Sequence, residues 1–468
     1  MSAVAEILDV RPRVGREKPP VAVIGGGFSG TMAAIQLARA VPRDQPILLC
    51  ERAGSFGQGV AYATAVPDHL LNVRAANMSA FAAEPGHFET WLESEGEAAR
   101  THRTEAGVFA SRGTYGRYLT SILYDEIRDQ ERPGQLRPLP DDIVDCRRTG
   151  DGFELTSGSG RRYTARAVVL ATGHVPSAPS ADPRYVTNPW ARGATRGLDD
   201  TAPVLVLGTG LTMVDVVVSL RQSGFTGPII ALSRHGLLPQ PHEASAPWPM
   251  PQFTEAERGS VRLTMRRMRG EIAAAASAGI CWRAVVDSIR PITAAIWRGW
   301  PEAERHRFLR HARRAWDVHR HRMAPPVAAA IDVALADGSL RVVAGRVSGM
   351  RFDAVAVHVA YRPLGGGQDE IAVQRVIVAT GLESAVKTTD PLTQRLIERG
   401  LVRLDGHGFG IEVTPDLQAV GADGRPVPNL WALGPLVRGV FWECVAVPDI
   451  RQQAERFGRL AAAALTGR

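Results

Sequence analysis

Two glycine clusters carry the chemistry that this chain's residue types and spacings allow. The first is Val21-Ala22-Val23-Ile24-Gly25-Gly26-Gly27-Phe28-Ser29-Gly30, an apolar β-type run ending in G-x-G-x-x-G, with a helical pattern from Met32 to Leu37 behind it. Gly25 allows the tight turn, Gly27 lets backbone approach a pyrophosphate, and Gly30 lets helix and strand pack closely. Phosphates then lie over a helix N-terminus, whose free N–H groups and dipole favour negative charge. The next strand, Pro46-Ile47-Leu48-Leu49-Cys50-Glu51, ends in an acid about twenty residues on, where a carboxylate holds ribose hydroxyls. This combination predicts a dinucleotide site.

The second cluster, Val204-Leu205-Val206-Leu207-Gly208-Thr209-Gly210-Leu211-Thr212-Met213, repeats strand, G-x-G and helix, with Met213 at the third glycine position. Its following strand, Ile229-Ile230-Ala231-Leu232, ends in Ser233-Arg234-His235 instead of an acid. An acid there would hold a free 2′-hydroxyl, whereas arginine accommodates a 2′-phosphate, so the pattern favours NADPH over NADH. An apolar strand ending Ala171-Thr172-Gly173 returns as Ala379-Thr380-Gly381, bracketing the second motif. The two copies mark where a chain leaves one domain and comes back.

The elements that position these motifs read as alternating strands and helices. Residues 86–95 and 112–130 have helical patterns, the second opening with Arg112, Tyr115 and Arg117, and the glycines between Gly57 and Tyr62 predict a loop passing close to a bound cofactor. Residues 254–330 form an arginine-rich helical insertion; with Trp248 it holds five of the nine tryptophans. Counted as one helix, its 308–323 stretch places Leu309, Ala312, Trp316, His319 and Met323 on a single face. Pro448 fits the first turn of a closing helix that runs to about Leu465.

Composition narrows the classes. The 468 residues are 45% hydrophobic, enough for two or three domains. The net charge of +7 is almost all arginine, since Lys18 and Lys387 are the only lysines; it reads as compositional bias that suits an anionic substrate, with no nucleic-acid partner. No run approaches the 18 or so apolar residues of a membrane helix, and residues 1–18 lack an apolar core for export, so a cytoplasmic protein without a membrane partner is expected. Cys50, Cys146, Cys281 and Cys444 are scattered, which suits free thiols and excludes a flavin disulfide reductase, whose chemistry needs a close cysteine pair. No cluster has metal-ligand spacing. Oligomeric state leaves no signal.

Two nucleotide motifs, two Ala-Thr-Gly crossovers and the late Leu433-Gly434-Pro435 segment resemble the flavoproteins built from two dinucleotide-binding domains. The chain looks closest to the group containing FAD-dependent urate hydroxylase and flavin-dependent aspartate N-monooxygenase. The segments that carry this are Gly57 to Tyr62, His69 to Val73 with Met78-Ser79, Tyr115 to Leu119, Ser233 to Gly236, Trp282-Arg283 through Asp287, His319 to Arg322, and Trp442-Glu443. Two features depart from the wider superfamily. Gly434-Pro435 replaces a Gly-Asp pair whose acid holds the ribityl chain, and the Baeyer–Villiger F-x-G-x-x-x-H-x-x-x-W motif is absent after Thr172-Gly173.

The resemblance implies an α/β fold of the glutathione-reductase-like flavoprotein type: two Rossmann-like dinucleotide-binding domains with an α-helical insertion. It divides the chain into a disordered lead (1–18), an FAD domain (19–183 and 376–468), an NAD(P)H domain (200–250 and 331–375) and the insertion (254–330) as a substrate lid. FAD contacts fall to Gly25, Gly27, Phe28, Ser29, Gly30, Glu51, Arg52, Gly59, Asn72, Met78, Ser79, Arg117, Thr172, Gly173, Gly434 and Pro435. NAD(P)H contacts fall to Gly208, Gly210, Leu211, Thr212, Ser233, Arg234 and Gly381. The implied activity is an NAD(P)H-consuming monooxygenase that hydroxylates a small anion with molecular oxygen. Urate is the first substrate expected, an amino acid hydroxylated on nitrogen the second, and an oxidase or dehydrogenase without organic hydroxylation a further alternative. Trp442, Glu443 and His319 are the catalytic candidates; Trp282, Arg283, Trp316 and Arg322 are the substrate candidates.

Overall fold

The computed structural model describes residues 18–173, 178–191, 193–381 and 390–467. Residues 1–17 of the expected lead lie outside the described residues.

The first domain grows from β1 (Val21–Ile24), whose four residues are all buried. A short apolar run without alternation is what a parallel strand covered on both faces requires. Helix α1 (Phe28–Ala40) follows at Gly27, and β2 (Ile47–Cys50) pairs with β1 in parallel. Helix α2 (Arg112–Ile127), β3 (Leu136–Leu139) and β4 (Ala167–Leu170) complete the first pass. β4 runs parallel to β1 on its other side.

The chain then builds a second domain whose sheet holds β5 (Val204–Leu207), β6 (Ile229–Ser233), β7 (Leu340–Phe352) and β8 (Arg375–Val378), with α3 (Leu211–Gln222) after β5 and α4 (Arg313–Arg320) in the insertion between β6 and β7. β8 and β6 flank β5 in parallel, β7 lies beyond β6, and an antiparallel meander (Val357–Pro363, Asp369–Val373) finishes the sheet. The chain returns to the first sheet as β9 (Pro426–Ala432), parallel to β4, and ends in α5 (Val447–Thr466).

The expected boundary at residue 376 assigned β8 to the FAD domain; β8 instead pairs with β5 in the second sheet. The reason is a repeated packing rule. Each Ala-Thr-Gly strand lies beside the glycine-motif strand of its own sheet, β4 beside β1 and β8 beside β5, so both crossings come after the Gly and not before the strand. Helix Pro325–Ala336 straddles the expected end of the insertion and buries Ala328 and Ile331 with Met213 and Val217 in the second domain's core.

The insertion has a core of its own, in which Val285, Ile296, Trp297, Trp300 and Phe308 gather around Trp442 from the closing segment. Its 308–323 stretch is not one helix. It breaks at Ala312, between Glu302–His311 and α4, and ends before Met323. The break shifts the phase, so His319 is exposed while Ala312 is half-buried and Met323 buried. No helix of the described residues is long and apolar enough to cross a membrane.

Candidate active site

The first glycine of each motif, and Gly30, occupy places where a side chain is forbidden. Gly25 has φ +108°, and a Cβ on it would lie 2.4 Å from the Ala171 carbonyl oxygen. A Cβ on Gly30 would lie 1.7 Å from the Gly25 carbonyl oxygen. In the second motif Gly208 has φ +113°, and its Cβ would lie 2.4 Å from the Ala379 carbonyl oxygen, while Gly210 faces open space. Each first glycine thus closes against the Ala-Thr-Gly end of the neighbouring strand. Met213, at the third position of the second motif, is fully buried.

The helices behind the glycines keep their first N–H groups free of side-chain caps. Gly27 caps α1 and Gly210 caps α3, neither with a side-chain acceptor, whereas α2 begins at Ser111, whose hydroxyl accepts from the Thr114 N–H. Uncapped helix termini at glycine turns are anion sites by construction.

Above the first motif lies a cavity of about 590 Å³. Gly25, Gly27, Phe28, Ser29, Glu51, Arg52, Gly59, Thr172, Gly173 and Pro435 line it. The Glu51 carboxylate takes the Gly26 N–H at 2.7 Å and the Ala53 N–H at 3.0 Å, which fixes it at the end of β2. Gly30 sits beneath the turn, and Gly434 abuts Ser29, with room for no Cβ. Val445, just before α5, and Ile450 in its first turn join the wall. The cradle, the uncapped helix and the acid fit the pyrophosphate and ribose of FAD.

A cavity of about 1010 Å³ covers the second motif, lined by Gly208, Gly210, Leu211, Thr212, Ser233, Arg234 and Gly381. Arg346 on β7 joins Arg234 there, which is a consequence of register: Ser233 pairs with Ala344, two residues before Arg346. The insertion and the closing segment supply the far wall with Arg313, Arg314, Asp317, Val318, His321 and Arg438. Val445 lines this cavity as well as the flavin cavity, so the two meet there.

The far wall is strongly charged. Arg438 is 8% exposed, has no ion-pair partner among the described residues, and lies 4.7 Å from the Trp442 ring centre. Arg313 Nε stands 3.4 Å from Asp317 Oδ2, while Asp317 Oδ1 is buried without a hydrogen-bond donor. Burial holds the His321 ring below its ordinary pKa, reinforced by Arg320 and Arg438 and opposed by Glu443 and Asp317.

Several expected site residues lie elsewhere. Asn72 gives its carbonyl to His242 Nε2 at 3.0 Å, Met78 is a core residue, and the Ser79 hydroxyl donates to Phe81 and Glu84 carbonyls; none of the three lines the flavin cavity. Arg117 pairs with Glu97 at 2.8 Å on the surface of α2. Trp442 stacks on Trp297 with ring centres 4.8 Å apart, inside the insertion core and outside both cavities. Glu443 is buried against Arg320 at 3.2 Å and the Trp316 indole N–H at 3.4 Å. Burial alone would raise its carboxyl pKa, but Arg320, His321 and Arg290 outweigh that and hold it low. His319 is exposed, edge-on to Trp282 at 4.7 Å.

The substrate candidates are likewise committed to structural contacts. Arg283 binds Glu243 at 2.7 Å and the Pro241 carbonyl at 2.9 Å. Arg322, 1% exposed, pairs with Asp287 and donates to the His319 carbonyl. Trp282 lies under both guanidinium groups. These networks knit the insertion to the strand-like 240–243 segment.

Residues 22–175 match the model of an FAD-NAD(P)-binding family. The FAD-binding monooxygenase ausB of Aspergillus calidoustus is 26% identical over 227 residues, which are 47% of this chain and 34% of that protein, so the match spans about a third of the relative. Among solved structures, L-lysine 6-monooxygenase from Pseudomonas syringae superposes with a TM-score of 0.64 at 17% identity, covering 96% of this chain and 99% of that one. The reduced form of ornithine hydroxylase from Pseudomonas aeruginosa gives 0.63 at 15% identity with coverages of 96% and 99%. At such identities the likeness is one of fold. The chain thus carries an FAD/NAD(P)-binding domain within a two-domain flavoprotein fold.

Proposed function

We propose that this protein is an FAD-dependent, NAD(P)H-consuming monooxygenase that hydroxylates the amine nitrogen of a small amino acid. The observation that carries the reading is the far wall of the larger cavity, which presents both signs of charge beside the junction at Val445. Arg438 suits a carboxylate, and the Asp317 Oδ1, which has no donor among the described residues while Oδ2 faces Arg313, suits an ammonium. A zwitterion satisfies both, whereas urate, expected first from sequence, has no cation to offer Asp317. The relatives support the same choice, since two of the superposing structures are an L-lysine 6-monooxygenase and an ornithine hydroxylase, and neither is named for urate.

In this reading Gly208 and Gly210 would hold NAD(P)H and Gly25 and Gly27 would hold FAD, with Val445 in the wall of both cavities. Bound FAD supplies hydride acceptance and oxygen activation. The chain's part is to hold both nucleotides, orient the amine with arginine and aspartate, and exclude water behind the insertion.

The test is an absorbance scan of the purified protein, followed by NADPH and NADH oxidation in air with L-ornithine, L-lysine, L-aspartate and urate, scoring hydroxylamine product. A flavin spectrum with hydroxylamine formed from one amino acid is the expected result. Urate loss in step with NADPH oxidation would restore the first expectation, and peroxide formation indifferent to every substrate would mark an oxidase.

A further inference from the structure

An amino acid reaches a protein as an ammonium, whose nitrogen has no lone pair with which to meet oxygen. An amine-hydroxylating site therefore needs a group that removes a proton, and the cofactor motifs supply none.

We propose that His321 is this proton acceptor, an inference that rests on the amine-hydroxylase reading above. It lies one residue past α4 in the wall shared with Asp317, Arg314 and Arg438, in the cavity that meets the flavin cavity at Val445. Neither of its ring nitrogens has a hydrogen-bond partner among the described residues. Among other half-buried or buried histidines, His69 bonds Thr64 and Ser219, and His242 bonds the Asn72 carbonyl through Nε2; His407, whose Nδ1 is also without a partner among the described residues, packs on Trp297 and does not line this cavity. His319, the neighbouring candidate, contacts the Ala315 carbonyl on the exposed side of the helix. Facing His321 are Glu443 and Asp317, which would stabilise the imidazolium once formed, and Arg320 and Arg438, which together with burial keep the resting ring neutral. Arg314 and Arg438 in the same wall also disfavour the substrate's ammonium form, narrowing the gap that the proton must cross.

The step balances. The ammonium gives one proton to His321, and the freed nitrogen lone pair forms the N–O bond to one atom of O2. The second oxygen atom leaves as water and takes the proton back from the imidazolium, while NAD(P)H supplies the electron pair as hydride. Ammonium, O2 and NAD(P)H thus become hydroxylamine, water and NAD(P)+, with no proton left over. His321 cycles.

The experiment compares the FAD-loaded wild type with His321→Gln and His321→Ala from pH 6 to 9. It reads hydroxylamine formed per NADPH consumed with L-ornithine, L-lysine and L-aspartate, and anaerobic flavin reduction by NADPH. Loss of a general base predicts that hydroxylation at pH 7 falls about 10²-fold, far more than flavin reduction does. The loss should shrink about tenfold per pH unit as the amine deprotonates in solution, and free imidazole should rescue His321→Ala. An unchanged pH profile, or flavin reduction falling in parallel, would overturn the assignment of His321 alone. A wild type that makes no hydroxylamine from any amine would instead remove the functional reading beneath it. Should the variants fail to fold, histidine NMR of the wild type decides: a neutral His321 ring at pH 7 that L-ornithine perturbs is expected, and an imidazolium at pH 7 overturns the proposal.

Discussion

Arg112 Nη2 lies 2.8 Å from Asp215 Oδ2, and this buried pair bolts α2 of the flavin domain to α3 of the nucleotide domain. The guanidinium also lines the flavin cavity and faces the Trp190 ring at 5.7 Å. His69, whose carbonyl accepts the Arg112 N–H, adds a bond of 2.8 Å from its Nε2 to Ser219 on α3. The angle between the two nucleotide sites is therefore set by side chains from both domains at one spot.

Removing one member of such a pair strands the other. Asp215→Asn should cost about 3 kcal/mol of stability and lower flavin retention, whereas replacing both partners with apolar residues should cost less. Denaturant unfolding and the ratio of flavin to protein absorbance measure this.

The same spot predicts opposed pH effects. Burial, aided by Arg112, pushes the His69 pKa down to about 4, so its stabilising contribution is full above about 6.5 and is lost as pH falls through 4. Burial raises the Asp215 pKa to about 6 against the pull of Arg112, so its contribution is full below about 3.8 and is lost as pH rises through 6. Between pH 6.5 and 4 the two nearly cancel. Relative to wild type, Asp215→Asn should lose on the order of 3 kcal/mol on acidification across that window, and His69→Gln should gain a similar amount. Urea unfolding at several pH values compares the three proteins.

The paired glycine turns allow the two nucleotide sites to be separated. Gly30→Ala, with its Cβ driven into the Gly25 carbonyl, should yield protein that does not hold FAD. Gly208→Ala should keep the flavin spectrum yet slow flavin reduction by NADPH by roughly 10²-fold through misplacement of the nicotinamide. Equal loss of flavin in both variants would contradict separate sites.

Arg234 and Arg346 should hold the 2′-phosphate of NADPH. Alanine at either position is expected to raise the KM for NADPH roughly tenfold, the worth of one charge-assisted hydrogen bond, and to leave that for NADH nearly unchanged. Competition by 2′,5′-ADP against 5′-AMP reports the same contact without turnover.

The nucleotide turns were legible because a Cβ is forbidden there, and a steric prohibition writes itself into sequence as glycine. The charged wall was not. Arg283 and Arg322 looked available, yet their acids lie at Glu243 and Asp287, 40 and 35 positions away, and no local pattern announces pairs at such range. A count of 3.6 residues per turn puts His319 on the apolar face with Ala312, but the helix breaks at Ala312 and the phase resets, which leaves His319 exposed. Arg438 had a signal, standing between Gly434-Pro435 and Trp442-Glu443, but that it has no acid partner among the described residues is visible only in three dimensions. Arg346 had none: it reaches the site through the register of β7 on β6.

The closing segment serves two masters within fifteen residues. Pro435 and Val445 are flavin-cavity wall, while between them Trp442 is buried in the core of the insertion, and Glu443 and Asp449 pair with its Arg320 and Arg290. The insertion, expected as a substrate lid, is fastened to the closing segment by these pairs. Exchanging it for a relative's insertion to change substrate would therefore fail as a cassette bounded by 254 and 330. The graft would have to carry residues 438–449 with it, and the flavin would register every such transplant.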